Sequence, residues 1–264
     1  ATLQALLNTQ NNPFNKGKRL LLLGHLDFSK ELNTITGLDT NTQRNHAHKI
    51  VQLIDKEVAY LVQQIVAAGK IPIAVGGGHN NAYGMVKGCS LALNRPINIL
   101  NIDAHTDFRL RDVRHSGNPF SYAHAEGFLK KYAMFGLHEN YTPKIVVNAI
   151  TQEIENFQFT TYEQLFIRRE KDLETEINAA IDFVKLSPFG LEIDCDSVQN
   201  MPSSAMTPTG FSVDMVRNMV HRCSRNKSIL YMHIAEGAPN PLNEAEMQLT
   251  GKFIAHLITD FIRK

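Results

Sequence analysis

The sequence predicts an α/β protein with three layers, in which a central and mostly parallel β-sheet lies between two layers of helices. Short apolar runs alternate with amphipathic segments over most of the 264 residues. Several of these runs are apolar throughout, which is typical of parallel strands covered on both faces. Because no internal repeat, low-complexity tract or linker interrupts the alternation, we expect residues 1–264 to form a single domain.

The first half of the chain supplies three predicted strands and one long helix. The four leucines of residues 20–23 predict an opening strand that is buried on both faces. In "RNHAHKIVQLIDKEVAYLVQQIVAAGK" apolar residues recur at intervals of three and four, which predicts a helix, and Gly69 stands where a helix C-cap belongs. Residues 71–75, "IPIAV", and residues 97–103, "INILNID", predict the next two strands.

The second half of the chain continues the same alternation. Strands are predicted at "KIVVNAI", "GLEID" and "SILYMHIA", and helices at "KDLETEINAAIDFVKL", "SVDMVRNMVHRC" and "NEAEMQLTGKFIAHLITDFI". Residues 110–118 and 200–210 are irregular and long enough to be functional loops. Since ligands of such sheets bind at the carboxyl ends of the strands, we expect the functional site among the residues that follow them.

Composition and charge exclude several classes of protein. The chain has 27 basic and 26 acidic side chains and a net charge of +1, and it lacks the long basic stripe that binds nucleic acid. Its apolar runs are far shorter than the roughly 20 residues of a membrane span, so we expect no membrane contact. The first residues do not resemble a secretory signal, and the three cysteines are without a metal-type spacing. We therefore expect a cytoplasmic protein.

The turn "GGGHNN" after residues 71–75 resembles the start of a phosphate-binding loop. The dinucleotide-binding fingerprint requires a glycine three positions after Gly78, where this chain has Asn81, and the Gly-Lys-Ser/Thr of a P-loop is absent. A nucleotide-binding oxidoreductase is therefore disfavoured. What remains is His79 at the end of a strand; taken alone, it is more typical of a hydrogen-bonded turn residue than of a metal ligand.

Potential metal ligands follow three of the predicted strands. Side chains alternate along an extended chain, so those of "DAHTD" and those of "DCD" can each converge on one point. Turn or capping chemistry is an alternative for the "DAHTD" motif taken alone, but four carboxylates at one sheet edge would repel one another strongly without divalent cations. Six groups exceed the needs of one tetrahedral ion, which predicts two ions, and oxygen-rich ligands favour Mn²⁺ over structural zinc. The predicted ligands are His79, Asp103, His105, Asp107, Asp194 and Asp196.

The motifs "GGGH", "DAHTD" and "DCD" stand in the order found in the ureohydrolases, and most of the chain resembles this family of arginases, agmatinases and formimidoylglutamases. The resemblance implies a three-layer fold, two Mn²⁺ ions and a homo-oligomer, a trimer or hexamer. It implies that one ion is held by His79, Asp103, Asp107 and Asp194, and the other by Asp103, His105, Asp194 and Asp196. It also implies that Glu236, in "HIAEGAP", holds the cationic nitrogen end of an amidine or guanidino substrate; a capping role is the alternative.

Within the family the chain most resembles the formimidoylglutamases. "DAHTDFR" is followed by "HSGNPF", which has Phe120 where arginases have a histidine, and "GGGH" and "GLHENYT" also differ from the arginase pattern. A substrate with two carboxylates requires cations, and Arg109 follows the metal motif directly, with Arg111 and Arg114 as weaker candidates. The predicted substrate contacts are Arg109, Ser116, Asn118 and Glu236. A solvated surface charge or a turn role is the alternative for the first three.

The expected reaction is hydrolysis of N-formimidoyl-L-glutamate to L-glutamate and formamide. Two ions about 3.5–4 Å apart lower the pKa of a shared water towards neutrality, which supplies the nucleophile. Glu236 is expected to hold the nitrogen end of the substrate, and Asp107 to pass a proton to the departing amine. Two alternatives stay open. One is an arginase- or agmatinase-type hydrolase that releases urea; the other is a catalytically silent metal-binding relative, since the ring of Phe120 cannot relay protons.

Overall fold

A parallel β-sheet forms the centre of the structure, a computed structural model that describes residues 1–37 and 39–263. Its strands are β1 (Ile73–Val75), β2 (Ile97–Ile102), β3 (Leu129–Leu137), β4 (Phe157–Thr161), β5 (Phe189–Asp194) and β6 (Ile229–Ala235). They lie in the order β1-β6-β5-β2-β3-β4, and every neighbouring pair is parallel. The predicted parallel sheet is therefore confirmed.

Helices cover both faces of this sheet. They are α1 (Thr2–Leu7), α2 (Ser29–Asn33), α3 (Thr40–Ala67), α4 (Asn81–Leu93), α5 (Pro119–Ala125), α6 (Lys144–Thr151), α7 (Leu173–Val184), α8 (Val213–Ser224) and α9 (Glu244–Ile262). In β2, Ile97 and Ile99 share a core with residues of α3 and α4, whereas Leu100 and Ile102 share a core with residues of α7, α8 and α9. The three-layer α/β/α architecture is thus confirmed. Among the helices of the described residues, none has both the length and the apolar character needed to cross a membrane.

The ends of several helices follow from capping residues. Asp172, Ser212 and Asn243 precede α7, α8 and α9, and the side chain of each accepts a hydrogen bond from the first turn of its helix. After α3, Gly69 has a φ of +70°, which confirms the predicted glycine cap. There the Lys70 N–H donates to the carbonyl of Ile65 at 3.1 Å, as in a Schellman motif.

Two of the predicted strands are wrong. Residues 20–23 form no strand, and Leu21, Leu22 and Leu23 are 81%, 64% and 63% exposed. Four consecutive leucines have no periodicity, so the pattern does not distinguish a buried strand from an exposed irregular segment. The segment "KIVVNAI" forms α6 instead of a strand. Its buried residues Val146 and Ile150 are four positions apart, as they must be on one helix face.

Two strands, β3 and β4, are not predicted by the sequence pattern. The segment "LKKYAMFGL" of β3 has two lysines directly after its first residue, and their charges interrupt the apolar pattern. The motif "FQFTT" of β4 mixes apolar and polar residues because this strand lies at the edge of the sheet. Neither strand ends in a predicted ligand, so the missed strands do not affect the predicted ligand set.

The strand order places the candidate site. β1, β6, β5 and β2 are consecutive neighbours, so their carboxyl ends lie side by side. The segments that follow these four strands carry His79, Glu236, Asp196 and Asp103 respectively. The loops at residues 110–118 and 200–210 are irregular, as predicted. The fold therefore brings together at one sheet edge residues that are far apart along the chain.

Candidate metal centre

The glycine-rich turn after β1 presents His79 to the centre of the site. Gly76 and Gly77 have φ values of +94° and +74°, a conformation that residues with a Cβ rarely adopt. Asn81 Nδ2 donates a hydrogen bond to the Gly76 carbonyl (3.1 Å), and the His79 N–H donates to Glu236 Oε1 (2.6 Å). The His79 ring is fully buried. These hydrogen bonds hold the backbone of the turn from which the ring projects.

Asp103 directly follows β2 and Asp194 is the last residue of β5, and the two residues have the same local geometry. Oδ1 of Asp103 accepts a hydrogen bond from the His105 N–H, and Oδ1 of Asp194 accepts one from the Asp196 N–H, each at 2.7 Å. Such bonds to the backbone two residues ahead hold the chain in a turn. The repeated turn brings the second acidic or imidazole group of each motif back towards the first.

Three carboxylate oxygens surround Nδ1 of His79. Oδ2 of Asp107 lies at 2.8 Å, Oδ2 of Asp194 at 3.0 Å and Oδ2 of Asp103 at 3.2 Å, and all four residues are buried. Despite these short distances, Nδ1 has no well-aligned hydrogen-bond partner among the described residues. A divalent cation satisfies such a set, because it neutralises the carboxylates and accepts the imidazole lone pair. The four residues therefore fit a metal ion.

A second set of candidate ligands adjoins the first. Nδ1 of His105 lies 3.6 Å from Oδ1 of Asp103 and 3.7 Å from Oδ2 of Asp196. The loop at residues 200–210 folds back over this set, and the Ala205 N–H donates to Oδ1 of Asp196 at 2.9 Å. Since Asp103 belongs to both sets, the structure brings all six sequence-predicted ligands into one group.

The electrostatics of this group agree with a cation site. Burial and the charge of Asp103 raise the pKa of Asp107 to about 6 and raise the pKa of Asp194 well above its usual range. Burial lowers the pKa of His79, but the surrounding carboxylates outweigh it and raise that pKa well above its usual range. The polypeptide alone therefore keeps protons among these groups near neutral pH. A divalent cation would take the place of those protons.

Two of the predicted substrate contacts, Glu236 and Ser116, lie beside the glycine turn that carries His79, and a third, Arg109, packs on Gly117 of the neighbouring loop. Glu236 is half-buried, and Ser116 and Arg109 are exposed. A Cβ added at Gly78 would lie 3.2 Å from Glu236 Oε1 and 3.8 Å from the Cβ of Ser116, so both residues border the glycine turn. A Cβ at Gly117 would lie 3.0 Å from Cδ of Arg109, which shows that the arginine stem packs on that glycine.

The structure argues against substrate contact by Asn118 and Arg114. Oδ1 of Asn118 accepts hydrogen bonds from Arg114 Nη1 (2.7 Å) and the His115 N–H (3.0 Å), while its Nδ2 donates to the carbonyls of Leu110 and Val113. Arg114 is 3% exposed and pairs with Asp55, Nε to Oδ2 at 2.8 Å. Both side chains are thus occupied in holding the loop at residues 110–118. Arg111, the other arginine of this loop, is exposed.

Phe120 forms a wall beside the imidazole of His79. Its ring is fully buried and meets the His79 ring edge-on, with 5.5 Å between the centroids. The Phe120 ring also packs against the ring of Tyr132, with 4.5 Å between the centroids. Phe120 therefore excludes water from one side of the site and offers no group that could carry a proton.

Several further residues, which the sequence motifs do not predict, lie beside the site. Tyr141 stacks on the ring of His105, with centroids 5.3 Å apart, and on the ring of His138 at 5.5 Å. Glu192 and His233 lie fully buried within β5 and β6. A signal for the last two was present: each is a polar residue inside an otherwise apolar strand, "GLEID" and "LYMHIA".

Comparison with known proteins identifies the family. The model of the Arginase family matches residues 15–262. The formimidoylglutamase of Chromobacterium violaceum is 25% identical over 186 residues, which are 68% of this chain and 59% of that protein. The chain thus spans less than two thirds of the length of this relative.

Solved structures show the same fold. The crystal structure of formiminoglutamase of Trypanosoma cruzi was determined with Mn²⁺. Its superposition on this chain has a TM-score of 0.69 at 18% sequence identity and covers 87% of this chain and 73% of the Trypanosoma cruzi chain. Formimidoylglutamase of Bacillus subtilis has a TM-score of 0.69 at 18% identity, with coverages of 79% and 66%. Because the family match extends over nearly all of the sequence, the chain belongs to the arginase family.

Proposed function

We propose that the chain is a dinuclear manganese hydrolase of linear amidines and that its substrate is N-formimidoyl-L-glutamate, which it converts to L-glutamate and formamide. The observation that carries the proposal is the set of three carboxylate oxygens within 3.2 Å of the buried Nδ1 of His79. Two relatives named formimidoylglutamase support the choice of reaction, and a formiminoglutamase structure determined with Mn²⁺ supports the choice of metal.

The six grouped residues would hold two ions. His79, Asp103, Asp107 and Asp194 would bind the first, and Asp103, His105, Asp194 and Asp196 the second, so that Asp103 and Asp194 serve both. Divalent ions in such a pair lower the pKa of a coordinated water and stabilise negative charge that develops in the transition state. Mn²⁺ suits this set because its ligands are mostly carboxylate oxygens with some imidazole and no thiolate.

The substrate would be oriented at its nitrogen end by Glu236. One carboxylate oxygen of this residue accepts from the His79 N–H at 2.6 Å, which fixes the side chain and leaves Oε2 for the amidinium. In the reaction the oxygen of water bonds to the formimidoyl carbon, and the bond from that carbon to the glutamate nitrogen breaks. Both protons of water end on the departing nitrogen, which leaves as the ammonium group of glutamate. Asp107 would hold one of these protons and move it to that nitrogen.

The carboxylate end of the substrate would meet the loop at residues 110–118 and the arginine before it. Arg109 is exposed, and its planar guanidinium can bind a carboxylate through two parallel hydrogen bonds. Ser116, beside Glu236 and the glycine turn, could supply a neutral hydrogen bond. We further propose that the chain forms one domain and acts in the cytoplasm, as its sequence pattern and its cysteines led us to expect, and that it assembles as a trimer or hexamer, as the family resemblance implies.

The test is a product assay on Mn²⁺-loaded protein. The protein is offered formimidoyl-glutamate, arginine, agmatine and guanidinobutyrate in parallel, and formamide, glutamate and urea are measured. Release of equal amounts of formamide and glutamate from the first compound is expected. Urea from arginine or agmatine would overturn the choice of substrate, and two bound Mn²⁺ ions without turnover of any compound would identify a catalytically silent relative.

A further inference from the structure

A buried carboxylate lies behind the candidate metal centre. Glu192 is fully buried on β5, two residues before Asp194. Its Oε1 accepts a hydrogen bond from the Tyr231 hydroxyl at 2.5 Å, and its Oε2 lies 2.6 Å from Nδ1 of His233. The same Oε2 lies 3.4 Å from Nε2 of His79. A buried carboxylate without such partners would strongly destabilise the fold, so the surrounding groups form one unit with it.

The register of the sheet builds this unit. Glu192 of β5 is the direct partner of His233 of β6, and Gly190 is the direct partner of Tyr231. A Cβ at Gly190 would lie 2.1 Å from the Tyr231 ring, so only glycine leaves room for the ring whose hydroxyl reaches Glu192. Three positions of two strands thus cooperate to hold one carboxylate.

The two nitrogens of His79 face different surroundings. Nδ1 faces the three aspartates of the candidate metal centre, whereas Nε2 faces Glu192. Metal-binding histidines usually donate the second ring N–H to a carboxylate or carbonyl, which fixes the tautomer and the ring orientation and makes the ligating nitrogen more basic. The arrangement around His79 has this form.

We propose that Glu192, held by Tyr231 and His233, is a positioning residue that keeps the proton of His79 on Nε2 and so presents the lone pair of Nδ1 to the metal ion. The proposal rests on the proposed function for the statement that His79 binds metal. The 3.4 Å separation is long for a hydrogen bond. The role therefore requires that Nε2 and Glu192 Oε2 approach each other when the metal ion is bound.

Direct metal ligation by Glu192 is the competing role. Ligand atoms of His79, Glu192 and His233 lie within 4.8 Å of one another and could in principle hold an additional ion. Both carboxylate oxygens of Glu192, however, already lie at hydrogen-bond distance from Tyr231 and His233. An ion there would have to displace these donors, so the contacts favour positioning over ligation.

The test compares Mn²⁺ binding by the unsubstituted chain with binding by Glu192→Gln, using calorimetry and electron paramagnetic resonance. The substitution keeps the shape of the side chain but removes its charge, and of its two polar atoms only the amide oxygen can accept a hydrogen bond. We expect binding of one of the two ions to weaken by about 10–100-fold. The KM for formimidoyl-glutamate should stay unchanged because Glu192 contacts no substrate, while kcat measured at non-saturating Mn²⁺ should fall.

Two further variants separate positioning from general damage. Tyr231→Phe removes one hydrogen bond to Glu192 and keeps the ring, so it should weaken Mn²⁺ binding in the same direction but less. Asp260→Asn is the matched control. Asp260 is a buried carboxylate on α9 that pairs with Arg217 at 2.7 Å, and its loss should leave Mn²⁺ affinity unchanged.

The protonation of His79 is read directly by nitrogen NMR of the protein loaded with diamagnetic Zn²⁺. We expect the proton on Nε2 in the unsubstituted chain and a reduced Nε2–H population in Tyr231→Phe and Glu192→Gln. A proton on Nδ1 in the unsubstituted chain, or unchanged Mn²⁺ affinity in Glu192→Gln, would overturn the positioning role. Three ions per unsubstituted chain and two in Glu192→Gln would make Glu192 a ligand instead. Failure of the unsubstituted chain to bind Mn²⁺ would refute the proposed function itself.

Discussion

Two of the proposed catalytic residues have an unusual backbone conformation. Asp107 has a φ of +45° and Glu236 a φ of +60°, in the left-handed region that residues with a Cβ rarely adopt. In Glu236 both backbone polar groups are hydrogen-bonded, which holds this conformation. Its N–H donates to the Gly77 carbonyl (3.0 Å), and its carbonyl accepts from the Ser204 N–H (3.1 Å). Such strain persists where the surrounding structure enforces it, which is common at functional sites.

Substitution of Asp107 should weaken metal binding and turnover while the protein still folds. In Asp107→Asn the amide carries no charge for the first ion and cannot hold the proton that the leaving nitrogen needs. We expect turnover to fall by at least about 100-fold and binding of one Mn²⁺ to weaken, with a folded protein by circular dichroism. Asp112→Asn is the control, because Asp112 is an exposed acid on the neighbouring loop. Turnover and Mn²⁺ content equal to those of the control variant would contradict the role of Asp107.

Arg109 should determine affinity for the carboxylate end of the substrate. Removing its guanidinium in Arg109→Ala takes away a charge-assisted hydrogen bond, so the KM for formimidoyl-glutamate should rise by about tenfold or more while kcat changes little. Arg109→Lys should recover only part of the affinity, because an ammonium lacks the two parallel donors. Steady-state kinetics of both variants are compared with Arg111→Ala, whose exposed side chain has no such predicted contact. Equal KM values in all three would exclude Arg109 from the substrate site.

At the scale of elements, the loop at residues 110–118 is fixed to α3 and α4 by one arginine. Arg114 donates two hydrogen bonds to Asp55 of α3 (2.8 and 3.0 Å) and one to the Asn80 carbonyl just before α4 (2.9 Å). Its guanidinium also lies 5.0 Å from the Tyr83 ring centroid. The loop that carries Ser116 is therefore attached, through Arg114, to α3 and to the residue before α4.

Breaking this attachment should cost both stability and substrate binding. In Asp55→Asn the buried guanidinium of Arg114 loses its counter-ion, and removing one partner of a buried pair costs about 3–5 kcal/mol of unfolding free energy. We expect a lower urea midpoint together with a raised KM, because Ser116 and Arg109 lose their fixed positions. Arg168→Gln, which breaks the exposed pair with Glu139, is the control and should change neither quantity appreciably. A normal KM in a destabilised Asp55→Asn would show that the loop does not position the substrate.

The sequence could predict the ligands better than the elements around them. The six candidate ligands could be predicted because short motifs at strand ends keep their chemistry whatever the exact strand boundaries are. Glu192 and His233 could not be placed, because their contact depends on the register of two strands whose paired residues are 41 positions apart. The predicted strand at residues 20–23 is wrong for a different reason. The composition of this segment is that of a strand, but the tertiary structure leaves three of its leucines exposed.

For the whole molecule, the site joins segments that local structure alone would not hold together. The hydrogen bond from the His79 N–H to Glu236 spans 157 positions of the chain, and the other candidate ligands come from the ends of β2 and β5 between them. A metal ion that binds such a set binds the folded chain and not the unfolded one, so metal binding adds to the stability of the entire fold.

This coupling predicts a pH-dependent stabilisation by Mn²⁺. The pKa of Asp107 is raised to about 6 by burial and by Asp103, so in metal-free protein its contribution to stability is present below its unfolded pKa and is lost as pH rises through about 6. Mn²⁺ requires the ionised carboxylate and must also displace the proton of His79, whose pKa is raised well above its usual range. The gain in stability from the metal should therefore grow over the window in which metal-free protein weakens.

The measurement is Tm with saturating Mn²⁺ and with a chelator, at intervals from about pH 5 to about pH 8. At a Mn²⁺ concentration about 100 times Kd the ion adds about 2.7 kcal/mol, which for a chain of this size raises Tm by several degrees. The difference between the two Tm values should be small below about pH 6 and should increase above it, since protons no longer compete for Asp107. In Asp107→Asn, where the competing group cannot ionise, the increase should be reduced. A difference that stays constant across the range would mean that Mn²⁺ binds elsewhere, because ions held by these carboxylates must compete with their protons.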